Sequence, residues 1–226
     1  MIERRSHQPS QLSSNADDYD TLFVFQVHRL IKLGYDRLQP QSYAHDQEPA
    51  ITGDLVLAID AVLDYPAEDW MRLYSPHDDP PENEPKRRGR QRRRGKKRKR
   101  VDIRVESSQT CPRSRFRFEC KRLGPGHGAK RYLGAEGLGC FLRGDYASRE
   151  VRAGMLGYVQ CHDEQTWADK LKQLLVAEAA AHSVLPGSDW RHEPVIPELP
   201  HTYRSDHRRG RGKKPIEVYH TLLRFC

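Results

Sequence analysis

Residues 101–105 (Val-Asp-Ile-Arg-Val) and 116–121 (Phe-Arg-Phe-Glu-Cys-Lys) alternate apolar and polar side chains. A period of two belongs to an extended strand. Val101, Ile103 and Val105 then share one face and Asp102 takes the other. Phe116, Phe118 and Cys120 likewise share a face, with Glu119 and Lys121 on the opposite one. Any fold for this chain has to set the apolar backs of both strands against a core. If the strands pair, two carboxylates and one ammonium converge at a single place.

The flanking pattern is helical on both sides. Phe23, Val27, Leu30 and Ile31 repeat at helical spacing from Asp18 to Gly34. A second helix starts near Glu48-Pro49, proline being tolerated in a first turn. Ile51, Leu55, Ile59, Val62 and Leu63 form its apolar stripe, and Asp64-Tyr65-Pro66 stops it. Residues 70–74 read as a short strand, and 75–85, rich in proline and acid, as loop. Beyond Lys121 a Gly124-Pro125-Gly126-His127-Gly128 connection leads to a helix over 132–142, closed by Gly144. A buried strand over 155–159 and a helix over 166–181 follow. A proline-rich break, 186–200, precedes a hairpin of 203–207 and 216–225. This order predicts an α/β protein with a mixed β-sheet flanked by helices, the hairpin being appended as a C-terminal extension over 186–226. Residues 1–17 read as a flexible N-terminus and 18–226 as one domain.

Composition narrows the classes. Of 226 residues only 36% are hydrophobic, low for a chain that is all core. The net charge of +8 is concentrated: residues 86–100 hold twelve Lys or Arg and no acid, which leaves 27 basic against 31 acidic residues elsewhere. The body is therefore mildly acidic and the basic character belongs to one segment. The five cysteines are odd in number and form no C-x-x-C pair, which argues against a disulfide framework or zinc ribbon and for a reducing, cytoplasmic setting. No stretch reaches the roughly 20 apolar residues that span a bilayer, and no apolar region follows Met1. The expectation is a protein with no membrane partner.

Hydrolysis of a phosphodiester needs an activated water and relief of charge on the phosphate, and a divalent cation supplies both. Mg²⁺ takes hard oxygen ligands, commonly one or two carboxylates with water completing the shell. Asp102 and Glu119 are suited to that task. Lys121, on the same face, can orient or deprotonate the water or offset developing charge. Taken alone, Glu-x-Lys on a strand describes many solvated faces. Here an acid on the neighbouring strand, a preceding helix carrying an acid and a glycine-rich exit accompany it.

On Asp102 in Val-Asp-Ile and Glu119-Cys120-Lys121, the chain resembles the PD-(D/E)xK nuclease superfamily. The order of elements over about residues 46–160 is similar to its restriction-endonuclease-like αβββαβ core. The resemblance implies that Asp102 and Glu119 bind Mg²⁺ or Mn²⁺ and that Lys121 assists the water. It also implies a glutamate from the preceding helix as a further ligand, for which Glu48 is the candidate. It implies a nuclease, with DNA expected ahead of RNA as substrate, in a bacterial defence or repair setting. The small size of the chain and its lack of an evident sensor domain add the expectation of a controlling partner, as in a subunit of a larger complex. Val101 stands where many members carry proline. The helix after the sheet begins Tyr132-x-x-x-Glu136 rather than the Gln-x-x-x-Tyr of an exonuclease-like subgroup.

The basic run enters the Asp102 strand directly. Arg92, Arg93, Arg94, Lys96, Lys97, Arg98, Lys99 and Arg100 are expected to track a phosphate backbone without reading sequence, since no aromatic residue interrupts them. A localisation signal, an acidic partner or a solvated loop are the other readings of such a run. His207 and Arg208, in Ser-Asp-His-Arg, are further candidates for phosphate contact. The spacing of His201, His207 and His220 fits no standard zinc pattern. Tyr132, Tyr146 and Tyr158 read as packing residues. From a different class, the chain could be a non-catalytic nucleic-acid-binding or partner-binding module built on 86–100.

Overall fold

A computed structural model describes residues 10–81, 99–210 and 212–226. Helices α1 (Ser10–Tyr35) and α2 (Glu48–Leu63) precede an antiparallel meander of β1 (Tyr74–Asp78), β2 (Ile103–Ser107) and β3 (Ser114–Leu123). Short helices α3 (Ala129–Leu133) and α4 (Leu138–Arg143) lead to β4 (Arg152–Val159), and α5 (Glu164–Ala177) to β5 (Arg191–His192), β6 (Thr202–His207) and β7 (Ile216–Arg224). The strands form one seven-stranded sheet in the order β1-β2-β3-β4-β7-β6-β5. β3 pairs parallel with β4, β4 pairs parallel with β7, and the remaining pairs are antiparallel. The fold is therefore α/β with a mixed, open sheet.

Two apolar cores lie on the two faces of that sheet. On one, Val27, Leu30 and Ile31 of α1 and Ile51, Leu55 and Ile59 of α2 meet Ile103, Val105, Phe116, Phe118 and Cys120. On the other, Tyr132, Phe141, Trp167 and Leu171 meet Leu123, Met155, Val159 and Leu222. Ile51, Leu55 and Ile59 are fully buried, each stabilising the α2 docking by about 1.5–3 kcal/mol. Asp163 caps α5 by accepting a hydrogen bond from Thr166 N at 2.6 Å.

Several elements differ from expectation. α1 begins at Ser10, ahead of Asp18, and α5 ends at Ala177, ahead of 181. Residues Asp69–Leu73 form a 3₁₀ turn rather than a strand, and the strand lies over Tyr74–Asp78, meeting the expected strand only at Tyr74 and otherwise running through the expected loop. Pro76 is tolerated there because β1 is the sheet edge, where a missing N–H breaks no inner ladder. The helix expected over 132–142 is broken in two. A Cβ on Gly137 would lie 2.0 Å from the Tyr132 carbonyl oxygen, so the chain folds back there more tightly than a side chain permits.

The largest correction concerns the C-terminal hairpin. It is not an appendage: β7 sits between β4 and β6, paired with β4 from Arg152↔Glu217 to Val159↔Arg224. The five cysteines are all free. Among the described residues no helix is long and apolar enough to cross a membrane.

Candidate active site

The pairing of β2 with β3 stops at Ile103↔Phe118, but β3 runs on to Leu123 against β4. Its last five residues thus have β4 on one side and no strand on the other. Backbone amides on that open side need partners, and two carboxylates supply them. Asp102, one residue before β2, accepts from Cys120 N at 2.6 Å through Oδ2. Glu48, the first residue of α2, accepts from Arg122 N at 3.3 Å through Oε2. A third carboxylate, Glu119, projects from β3 itself and is almost entirely buried.

All three face the Lys121 ammonium. Its Nζ lies 2.9 Å from Glu48 Oε1, 2.9 Å from Glu119 Oε1 and 3.7 Å from Asp102 Oδ2, and it donates to the Cys120 carbonyl at 2.5 Å. The strand pairing expected from alternation is present, and with it the meeting of Asp102, Glu119 and Lys121. Glu48 joins them from the helix.

The electrostatics follow from crowding three acids around one base. Burial raises the Asp102 pKa to about 6, with Lys121 limiting the rise. Burial and the Asp102 charge together push Glu119 up to about 8. Burial works against the Lys121 charge, but Glu119, Asp102 and Glu48 outweigh it and raise its pKa, so the amine stays protonated. Glu119 Oε2 is buried without a hydrogen-bond partner. Among the described residues, no three His, Cys, Asp or Glu side chains are grouped as a ready metal-ligand set. The acids are instead arrayed around the ammonium.

Glu48 is held by residues that the sequence pattern did not single out. Thr52 donates its hydroxyl proton to the Glu48 carbonyl at 2.8 Å, so the Tyr158 hydroxyl, 3.0 Å from Thr52 Oγ1, must donate to it. Tyr158 lies on β4, and this chain of bonds ties the first turn of α2 to the sheet. The Gln160 amide donates to the carbonyls of Tyr43 and Asp46 at 2.8 and 2.9 Å, and the Arg122 guanidinium donates to Asp46 O at 3.1 Å. The i, i+4 spacing of Glu48 and Thr52 was the only sequence trace of this arrangement.

The other candidate residues lie elsewhere. Arg92, Arg93, Arg94, Lys96, Lys97 and Arg98 are outside the described residues. Lys99 is ion-paired with Asp145, and Arg100 with Asp79 at 2.5 Å. Both lie within three residues before Asp102, whose carbonyl accepts from Asp79 N at 2.9 Å, so the described end of the basic run, Lys99 and Arg100, meets the fold beside the site.

His207 is not a surface contact: it is fully buried, its Nδ1 donating to the His182 carbonyl at 2.9 Å. Arg208 is exposed but distant. Lys121 is level with Leu222 across the sheet, whereas His207 pairs with Ile216, six residues back along β7, or roughly 20 Å at strand rise.

His207 belongs to an interior relay instead. With its Nδ1 donating, its Nε2 must accept from Ser205 Oγ at 2.7 Å. Ser205 then accepts from His220 Nε2 at 2.7 Å, and His220 Nδ1 accepts from Tyr132 at 3.2 Å. Each proton is committed and each group is buried, so neither a zinc site nor a triad forms there. Tyr132, Tyr146 and Tyr158 are buried.

No family model, no curated protein and no solved structure matches this chain.

Proposed function

We propose that this chain is a metal-dependent nuclease, using Mg²⁺ or Mn²⁺ to hydrolyse phosphodiester bonds of nucleic acid, DNA in preference to RNA. The observation that carries this reading is the convergence of Glu48, Asp102 and Glu119 on Lys121 at the open edge of β3. Hard oxygen donors, one of them buried and unpartnered, fit a divalent cation. Asp102 and Glu119 would hold it, with Glu48 as the third oxygen ligand. When bound, the cation supplies an activated water and charge relief at the phosphate.

The chain's own residues provide the rest. Lys121, held protonated by its acidic neighbours, donates hydrogen bonds to the water or to phosphate oxygens and offsets negative charge in the transition state. Its raised pKa favours this role over proton removal. The bonds from Tyr158, Thr52 and Gln160 fix the geometry that such chemistry needs. The succession α2, β1, β2, β3, α3 and α4, β4 supports the finer reading of a PD-(D/E)xK core. On that reading the setting is cytoplasmic genome defence or repair, alone or within a larger complex.

One observation favours the alternative of a non-catalytic binding module: the acids already have a cation partner in Lys121, and they are not grouped as a ligand set. Incubation of plasmid and single-stranded DNA with Mg²⁺ or Mn²⁺ separates the two. Cleavage by the wild type and its loss in Asp102→Asn and Lys121→Ala is the expected result. Tight binding with no cleavage under either metal sinks the enzyme reading.

A further inference from the structure

The turn that leaves β3 builds a second polar cluster, of opposite sign to the first. Gly124 and His127 exchange backbone hydrogen bonds at 3.0 and 2.9 Å across Pro125-Gly126, with Gly126 at φ +74°. Proline followed by a residue of positive φ is the requirement of a type II turn, and glycine meets it without strain. The turn presents the His127 ring between two guanidiniums. Arg122 Nη2 lies 2.6 Å from His127 Nε2 and Arg131 Nη1 lies 3.1 Å from His127 Nδ1.

That geometry is incomplete as hydrogen bonding. A guanidinium only donates, and a neutral imidazole has one acceptor nitrogen and one N–H. The ring can satisfy one arginine, and then its N–H faces the other. Among the described residues, the two guanidiniums donate beyond His127 only to the Asp46 carbonyl, and neither meets a carboxylate. Three donors thus gather with one acceptor missing. An anion with several oxygens placed between them resolves the conflict, and phosphate suits the planar forks of arginine.

The cluster adjoins the carboxylate site through Glu48. The Arg122 side chain leaves β3 on the face opposite Lys121 and reaches the Asp46 carbonyl just before α2, and the Glu48 carboxylate bridges the two residues, with Oε1 on the Lys121 ammonium and Oε2 on the Arg122 N–H. We propose that Arg122, His127 and Arg131 form a phosphate subsite that holds a backbone phosphate of the nucleic acid strand, next to the one attacked. Its ligand assignment rests on the nuclease reading; its geometry does not. The acids and Lys121 would act on one phosphate while this cluster holds its neighbour, which fixes the strand's direction across β3.

The test is binding, measured apart from cleavage. A fluorescently labelled single strand is titrated with wild type, Arg131→Gln and Arg122→Gln in EDTA over a range of NaCl concentrations. Arg131 is exposed, so its variant keeps the fold, which thermal denaturation verifies. Each substitution is expected to weaken binding several-fold and to make the slope of log K against log salt shallower by about 0.7. Arg131→Lys should retain the slope. Unchanged affinity and slope in Arg131→Gln overturn the proposal. A second arm adds inorganic phosphate as competitor. If the wild type loses DNA to phosphate more readily than Arg131→Gln does, the subsite is shared by both ligands, as expected. If Arg131→Gln changes the response to phosphate but not DNA affinity, the site belongs to a free phosphate and the strand assignment fails. Failure of the nuclease reading shows in a different assay, as Lys121→Ala cleaving like the wild type.

Discussion

Lys121 and Glu48 stand 73 residues apart in sequence, and their side chains meet at 2.9 Å. The contact pins the start of α2 to the unpaired side of β3. Because the same ammonium serves Glu119 and Asp102, it already occupies the place between the acids that a metal would need. On the proposed function, ammonium and metal would therefore be competitors as well as partners.

Lys121→Ala should separate these two roles. Removing the ammonium leaves buried carboxylates uncompensated, at a cost of roughly 3–5 kcal/mol in stability. Cleavage should fall by about a hundredfold or more, as when a charge-stabilising donor is removed. Mg²⁺ should nevertheless raise the melting temperature of the variant more than that of the wild type. Thermal denaturation with and without Mg²⁺ measures this, and equal shifts in the two proteins would show that ammonium and metal do not share a position.

Thr52→Val removes the hydroxyl that links Tyr158 to the Glu48 carbonyl while preserving shape. About 1 kcal/mol of stability should be lost. Turnover should drop several-fold with little change in KM for DNA, since Thr52 positions Glu48 and touches no substrate. A loss confined to KM would place Thr52 on a binding path instead.

Three buried histidines set an acid limit. Burial holds His28 and His207 at about 4, and His220 well below its usual 6.5. They are neutral in the folded state and gain protons when unfolded below 6.5, so the stability they contribute is intact above pH 6.5 and declines as pH falls toward 4. A shift of that size is worth roughly 3 kcal/mol per group. Asp102 and Glu119 act with the opposite sign, because their raised pKa values favour the folded state as pH falls. The histidine contribution is therefore the difference between proteins. In urea titrations across this range, His28→Phe should lose less stability on acidification than the wild type, and parallel curves would refute the assignment.

Gly137→Ala tests the break between α3 and α4. The added Cβ meets the Tyr132 carbonyl, and backbone cannot yield as a flexible side chain would. A loss of roughly 3 kcal/mol is expected in denaturant unfolding, and a neutral result would mean that the break is not held by this close approach.

Alternation made Asp102, Glu119 and Lys121 readable, because a period of two states which side chains share a face. Glu48 was readable only through the resemblance, which asks for a glutamate on the helix before the sheet; an acid in a first helical turn has an ordinary dipole explanation. The open edge of β3 was not readable, because nothing local in residues 101–105 says that pairing ends at Ile103. His207 illustrates a different limit. Ser-Asp-His-Arg has the composition of an exposed turn, yet β7 on one side, a bridge to Val184 on the other and the carbonyl of His182 bury the ring. Arg122 and His127 are five residues apart, a spacing that matters only once the type II turn folds one onto the other.

The central place of β7 has a consequence for how the molecule comes to exist. β4 borders the candidate site strand on one side and β7 on the other, and the β4–β7 ladder joins positions 65 residues apart, such as Arg152 and Glu217. Until β7 inserts, β4 is a raw sheet edge, apolar on both faces and open to pairing with any passing strand. Parallel, long-range ladders also form slowly. A nascent chain that has already made every candidate site residue is thus at its most vulnerable to self-association, and only β7, made after all of them, closes that interval.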